Sequence, residues 1–233
     1  MIISSIYDFD FAVNDWISAH LTADWLDPIM RVITSLGDGG VFWILLALVV
    51  LCFKKTRRMG AAMAISLIIS TLITNVTLKP LVFRARPYTH EEYRVLWEKV
   101  GALVESERSF PSGHTTCAMA VMMGIFLAAK NKKRWWPVLI FPFVMGFTRL
   151  YFVVHYPTDV LGGLVAGALA GLGGFALVYL LYRFLEKHKE NKIVSLYLNC
   201  DPIVTAVRFV ISKIKKPTSC ESDATEQKNT PAD

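Results

Sequence analysis

An all-helical, polytopic transmembrane bundle is the fold class this sequence predicts, and three observations predict it. Apolar residues make up 54% of the 233 residues, whereas charged residues make up only 19%. Those charges gather in short clusters, and between the clusters lie five stretches long and apolar enough to cross a bilayer. Two of the clusters, "KKTRR" at 54–58 and "KNKKR" at 130–134, share one side of a five-span bundle with the basic stretch after Arg183. The positive-inside rule makes that side cytoplasmic.

The bulk numbers exclude several classes. The formal charge of +6 sits mostly in these clusters, which implies a basic face toward the membrane and no nucleic acid partner. The four cysteines have neither metal-finger spacing nor the pattern of a disulfide framework. The start, MIISSIYDFDF, has no positive n-region and no small-residue cleavage site, so a removable signal peptide is not expected.

Taken in chain order, residues 1–36 are interrupted by Asp8, Asp10, Asp15, Asp24, Asp27 and Arg31. With Trp16, Ile17, Leu21, Trp25 and Leu26 they predict N-terminal helices lying in the outer interface. A sixth span here is the alternative. The transmembrane bundle occupies 37–183, with spans at 37–53, 60–80, 112–129, 135–152 and 159–182. The first reaches full length only if Gly37–Val41 enters the membrane. The fourth carries Pro137 and Pro142, which neighbouring helices can accommodate. Ser66, Ser70 and Thr74 form a polar line on the second span, and Gly163, Gly167 and Gly171 a small-residue stripe on the fifth; both read as helix-packing surfaces. Residues 184–216 read as a basic cytoplasmic amphipathic segment, with Ile203, Val207, Val210, Ile211 and Ile214 on one face. Residues 217–233 bury nothing and read as a disordered tail.

The outward side carries charge that topology does not require. Lys79 ends the second span, Arg84 and Arg86 follow in "KPLVFRARP", and Arg149 lies inside the apolar "GFTRLYFVVHY". Ionisable groups at membrane depth are costly and mark function. His114 opens the third span, His155 precedes the fifth, and Asp159 follows four residues later. Two imidazoles, a carboxylate and several cations on one side form a pocket for a multiply charged anion, and phosphate fits best because a guanidinium grips two of its oxygens. Ser112 is placed as the N-cap of a helix starting at Gly113, whose first N–H groups point at whatever stands before it. In "HYPTD", Pro157 suits a first helical position, so the Asp159 carboxylate in the first turn can reach back to the His155 ring. Such a hydrogen bond fixes the tautomer and leaves the other nitrogen's lone pair free, as in a nucleophile or base oriented by a third group.

These residues fall into three ordered patterns: K-x6-R-P from Lys79 to Arg86–Pro87, P-S-G-H at Pro111–His114, and R-x5-H-x3-D at Arg149, His155 and Asp159. Together they resemble the type 2 phosphatidic acid phosphatase family of membrane lipid phosphatases, over roughly residues 25–183. One departure is visible: the third pattern usually begins Ser-Arg, and here it begins Thr148–Arg149.

The resemblance implies a metal-independent phosphoryl transfer without a cofactor. By it, His155 is the nucleophile that forms a phosphohistidine, Asp159 orients it, and His114 is the proton donor to the leaving lipid oxygen. Lys79, Arg86, Ser112, Gly113 and Arg149 hold the phosphate. Arg84 stands outside the patterns, as either an outer support or a diphosphate contact. The implied partners are membrane lipids and a lipid phosphate or diphosphate substrate: undecaprenyl diphosphate, phosphatidylglycerophosphate or phosphatidic acid, with the polyprenyl diphosphate favoured. The rival reading is a membrane protein that binds or transports a lipid phosphate or anion without turnover. Against it stands the full His114, His155 and Asp159 set, because binding alone needs cations and no oriented nucleophile.

Overall fold

The computed structural model describes residues 2–105, 108–201 and 211, and these contain helices and loops with no strand. Helix α1 (Ile2–His20) is followed by α2 (Asp27–Ser35), which has Pro28 in its first turn. A short turn at 37–40 leads from α2 into α3 (Val41–Cys52), and the 26 residues Asp27–Cys52 contain an 18-residue window of mean hydropathy 2.0. The expected span at 37–53 takes in this turn and α3, with α2 directly ahead of it. Gly39 and Gly40 take φ of +57° and +70°, which breaks the helix between α2 and α3.

Helix α4 (Arg57–Thr71) continues through a π-helical stretch, Leu72–Leu78, into the single turn α5 (Lys79–Leu81). The loop beyond carries α6 (Glu91–Lys99). Next come α7 (Gly113–Ala128), the single turn α8 (Lys132–Trp135), a 3₁₀ stretch at Trp136–Ile140 and α9 (Phe141–Tyr151). The chain closes with α10 (Pro157–Lys187) and α11 (Lys192–Asn199). Among the described residues three runs have the length and apolarity of a membrane span: Asp27–Cys52, Arg57–Leu81 and Pro157–Lys187; α7 is shorter. Each segment expected to span forms helix; α7 has 16 residues, and the proline-bearing segment from α8 through α9 runs unbroken from 132 to 151.

Close helix approach explains how the site assembles. Helix α10 packs against α7 and α4 along its small-residue stripe. A Cβ at Gly167 would stand 2.5 Å from the Thr116 carbonyl oxygen, and one at Gly171 would stand 2.5 Å from Met123 Cβ. The polar line on α4 has the same purpose, since a Cβ at Gly174 would lie 2.2 Å from Ser66 Oγ. Glycine lets these backbones meet, which gives dispersion contacts that lipid tails cannot match. The opposite face of α10 stays exposed at Leu161, Val165, Leu169 and Leu172, as expected of a surface meant for acyl chains. Trp43, Met63, Ala118, Val121 and Met145 fill the core between α3, α4, α7 and α9.

The N-terminal helix turns one polar face into the protein. Asp10 and Asn14 of α1 are fully buried, while Phe9 and Trp16 remain exposed. At the other end of the bundle, Arg57 donates to the carbonyl oxygens of Tyr197 and Cys200, tying the end of α11 to the start of α4. The expected amphipathic segment and tail lie outside the described residues, apart from 184–201 and Ile211.

Candidate active site

The three sequence patterns meet at one end of the bundle, and backbone hydrogen bonds hold them there. Ser112 N–H donates to the Asp159 carbonyl at 3.1 Å, joining the start of α7 to the start of α10. Ser109 N–H donates to the Arg84 carbonyl at 2.8 Å, joining the loop before α7 to the one after α5. Lys79 stands where the π-helical stretch of α4 gives way to α5, and π insertions of this kind recur at functional sites.

His155 lies in the turn between α9 and α10 and is 1% exposed. Its Nδ1 is 3.4 Å from Asp159 Oδ2, and its Nε2 is 3.1 Å from Arg86 Nη1. A guanidinium can only donate, so Nε2 accepts and the proton resides on Nδ1, facing the carboxylate. Burial first, and then the Arg86 and Arg149 charges, push the His155 pKa down to about 4 against the pull of Asp159. At neutral pH the ring is thus uncharged with its lone pair on Nε2, as a nucleophile requires.

Asp159 is fully buried and thoroughly held. Its carboxylate accepts from Tyr156 N–H at 2.9 Å, from Arg84 Nη1 at 2.7 Å and from the Ser109 hydroxyl. Arg84 also pairs with Asp10 and donates to Thr158 Oγ1 at 2.7 Å, with its guanidinium 4.0 Å from the Tyr156 ring centroid. Of the two roles open to Arg84 the structure supports the outer one, because its donors are committed to Asp10, Thr158 and Asp159. Buried charges need such pairing.

The cations converge on one carboxylate. Arg149, in the last turn of α9, donates to Glu105 and to Thr34, and its buried Nε has no partner among the described residues. Arg86 donates to the Val154 carbonyl at 2.7 Å and approaches Glu105 Oε2 at 3.8 Å. Burial alone would raise the Glu105 pKa, but Arg149, His114, Arg86 and His155 outweigh it and hold the carboxyl below its ordinary value. Glu105 therefore lies among both histidines and both arginines.

His114, in the first turn of α7, places Nε2 3.0 Å from Asp38 Oδ1. Ser112 occupies the N-cap position with extended backbone, as expected, but makes no capping bond; its Oγ is 2.9 Å from Thr115 Oγ1. The Gly113 N–H opens α7 without a helical partner. The Lys79 ammonium has no hydrogen-bond or ion-pair partner among the described residues and lies 3.9 Å from the point a Gly113 Cβ would occupy. Thr148 turns its hydroxyl back to the Met145 carbonyl at 2.7 Å, so the departure at that position leaves no hydroxyl aimed at the site.

A groove of about 640 Å³ opens between α3 and α4 and reaches this cluster. Ala47, Leu48, Leu67, Ile68 and Leu72 line its apolar part, and Lys79, Glu105, Gly113 and His114 line its polar end. His155 does not line the groove and lies inward of these groups.

Residues 57–189 match the family model of the PAP2 superfamily. The chain belongs to that superfamily. It is 31% identical over 198 residues to the undecaprenyl-diphosphatase BcrC of Bacillus subtilis, covering 83% of this chain and 89% of that one. It is 29% identical to the phosphatidylglycerophosphatase B of the same organism, covering 71% and 78% respectively. Among solved structures it resembles the PAP2-type phosphatidylglycerolphosphate phosphatase from Bacillus subtilis, with TM-score 0.59, 26% identity and coverage of 77% and 87%. As a PAP2 protein with apolar spanning helices it is a multi-pass membrane phosphatase, and these relatives favour that reading over non-catalytic binding or transport.

Four residues escaped the sequence reading. Ser109 stood inside the stretch that held the second pattern but outside the pattern itself. Asp10 stands in the sequence as an acid amid apolar residues, with nothing local to mark Arg84 as its partner. Glu105 lay in a mixed loop with nothing to distinguish it from Glu107, and Asp38 sat in a glycine-rich turn with no local sign of a histidine partner.

Proposed function

We propose that this PAP2 protein hydrolyses a lipid phosphate or diphosphate at the extracytoplasmic membrane surface through a phosphohistidine on His155. The observation that carries the reading is the His155 ring, fixed between Asp159 and Arg86, beside a groove that is apolar along the membrane and polar at its end. The lipid tail lies along α3 and α4, and its phosphate enters among Lys79, Arg86, Arg149 and the first N–H groups of α7, including that of Gly113 beside Ser112. There it takes the place of the Glu105 carboxylate, and Arg86 passes its N–H from Nε2 to a phosphate oxygen.

His155 Nε2 then attacks phosphorus, and the bond from phosphorus to the lipid oxygen breaks with its electron pair on oxygen. His114 gives a proton to that oxygen, and the lipid product departs along the groove. Water attacks the phosphohistidine and yields a proton to His114, the P–N bond breaks with its pair returning to Nε2, and phosphate is released. Asp159 supports the positive charge on the phosphorylated ring, and the cations stabilise the equatorial oxygens. The basic clusters at 54–58 and 130–134 lie at the opposite end, which supports the outward orientation. The division into N-terminal interfacial helices at 1–36, a transmembrane bundle at 37–183, a basic cytoplasmic segment at 184–216 and a tail at 217–233 belongs to the same reading.

A polyprenyl diphosphate stands first among substrates, because undecaprenyl-diphosphatases are among the relatives in both Bacillus subtilis and Sulfolobus acidocaldarius. Phosphate release by purified protein in detergent, across undecaprenyl diphosphate, phosphatidylglycerophosphate and phosphatidic acid, tests this. The expected result is turnover that survives EDTA, fastest on the polyprenyl diphosphate. A strict magnesium requirement, or no release from any of the three, would contradict the proposal.

A further inference from the structure

His155 and His114 are held very differently. The nucleophile has three structural partners around its Asp159 support, whereas His114 has one carboxylate, and no sequence pattern contains it. Asp38 Oδ1 lies 3.0 Å from His114 Nε2, and the two side chains are 66% and 12% exposed. Asp38 makes no other side-chain hydrogen bond among the described residues, so this carboxylate is committed to the imidazole.

The turn that carries Asp38 is shaped around that ring. A Cβ at Gly37 would stand 2.2 Å from His114 Cδ2, so the absent side chain lets the backbone lie against the imidazole edge. Gly39 and Gly40 follow in left-handed conformation, which larger residues resist. Gly37, Gly39 and Gly40 also line the groove beside His114, whereas His155 is buried and does not line it. An attack from the inward side expels the leaving oxygen outward, past His114 Nε2 and the Asp38 turn.

We propose that Asp38 is a positioning residue for leaving-group protonation. Its carboxylate accepts the Nε2–H of His114 and so keeps that edge of the ring toward the groove, and it gives up this hydrogen bond to the departing oxygen when the lipid phosphate is seated. The proton moves from Nε2 to that oxygen, the P–O electron pair having gone to the same atom, and Nε2 recovers its own proton from the attacking water in the second step. Arg149, Glu105, His155 and Arg86 are the other titratable groups whose charge reaches His114. Glu105 yields its place when phosphate binds, which leaves Asp38 as the countercharge during proton transfer. This inference rests on the reading of His114 as leaving-group acid.

The test compares leaving groups with purified full-length protein in detergent. An alkoxide leaves only with a proton, whereas p-nitrophenolate leaves without one. Turnover is measured on phosphatidic acid and on p-nitrophenyl phosphate for wild type, His114→Asn, Asp38→Asn and Asp38→Glu, with inhibition by inorganic phosphate as a monitor of the anion seat. The His114→Asn variant is expected to lose roughly 10²–10⁴-fold on phosphatidic acid and far less on p-nitrophenyl phosphate. Asp38→Asn is expected to follow the same direction, its loss on phosphatidic acid exceeding that on p-nitrophenyl phosphate by about tenfold or more, with phosphate inhibition retained and part of the loss recovered in Asp38→Glu.

Equal losses on both substrates in Asp38→Asn, or none on either, overturn the role of Asp38 while His114→Asn keeps its leaving-group dependence. Failure of Asp38→Asn to fold also overturns it, since an exposed pair adds little stability and the carboxylate would then be structural. If His114→Asn itself shows no leaving-group dependence, the reading of His114 falls and the inference falls with it.

Discussion

Replacing Glu105 with Gln is expected to weaken the fold and strengthen phosphate binding, two effects of opposite sign from one side chain. The carboxylate lies on Arg149 and near Arg86, the two guanidinium groups proposed to hold the substrate. A phosphate must therefore displace a charge-assisted hydrogen bond before it gains its own. Such bonds contribute about 1.5–3 kcal/mol, and since Glu105 is 22% exposed while Arg149 is 1% exposed, the displacement costs about 1–2 kcal/mol after solvent screening. Removing it should tighten inhibition by inorganic phosphate roughly 5- to 30-fold. Without ligand the same change leaves Arg149 buried beside a neutral amide, with a loss of about 1–3 kcal/mol and a few degrees in Tm. The assays are competitive inhibition of turnover by phosphate and thermal unfolding in detergent, with and without phosphate. Weaker phosphate inhibition in Glu105→Gln would refute the reasoning, because it would mean that the carboxylate assists the anion and does not compete with it.

Other outcomes follow from the same contacts. Gly37→Ala drives a methyl into the His114 ring and should lower kcat by roughly 10- to 100-fold while leaving phosphate inhibition intact, since general-acid geometry suffers and the cation seat does not. Gly167→Leu forces α10 away from the Thr116 carbonyl and is expected to cost about 1–3 kcal/mol and abolish turnover, as read by thermal unfolding and phosphate release. Because the folded-state pKa of His155 is about 4 and that of a free imidazole about 6.5, the unfolded chain binds more protons at this position between those values. Its contribution to stability is therefore full above pH 6.5 and falls as pH drops toward 4. Unfolding curves over that window should be flatter in His155→Gln than in wild type; identical slopes would contradict the buried, neutral ring.

The sequence displayed the chemistry more fully than the architecture around it. Lys79, Arg86, His114, Arg149, His155 and Asp159 were recognisable because charge in an apolar context is expensive and because their spacing recurs as three ordered patterns. The stripe of Gly163, Gly167 and Gly171 was legible for a similar reason: four-residue spacing has one packing consequence. Long-range partners left no such periodic mark. Asp10 reaches Arg84 from a helix 74 residues away and Asp38 meets His114 from 76 residues away, so neither pairing has a local sequence signature. Asp27 and Arg31 interrupt the apolar pattern ahead of the first expected span, and α2 accommodates them because the Tyr151 hydroxyl donates to Asp27 and Arg31 donates to the Gly101 carbonyl.

Trapping the covalent intermediate tests the central claim most directly. Wild-type protein and a His114→Asn variant would be mixed with substrate, quenched in alkali, where phosphohistidine survives, and mapped by mass spectrometry. A single phosphoryl group on His155, absent from His155→Ala, is the result this account predicts. Phosphate found on another residue, or turnover that continues in His155→Ala with no adduct anywhere, would contradict it.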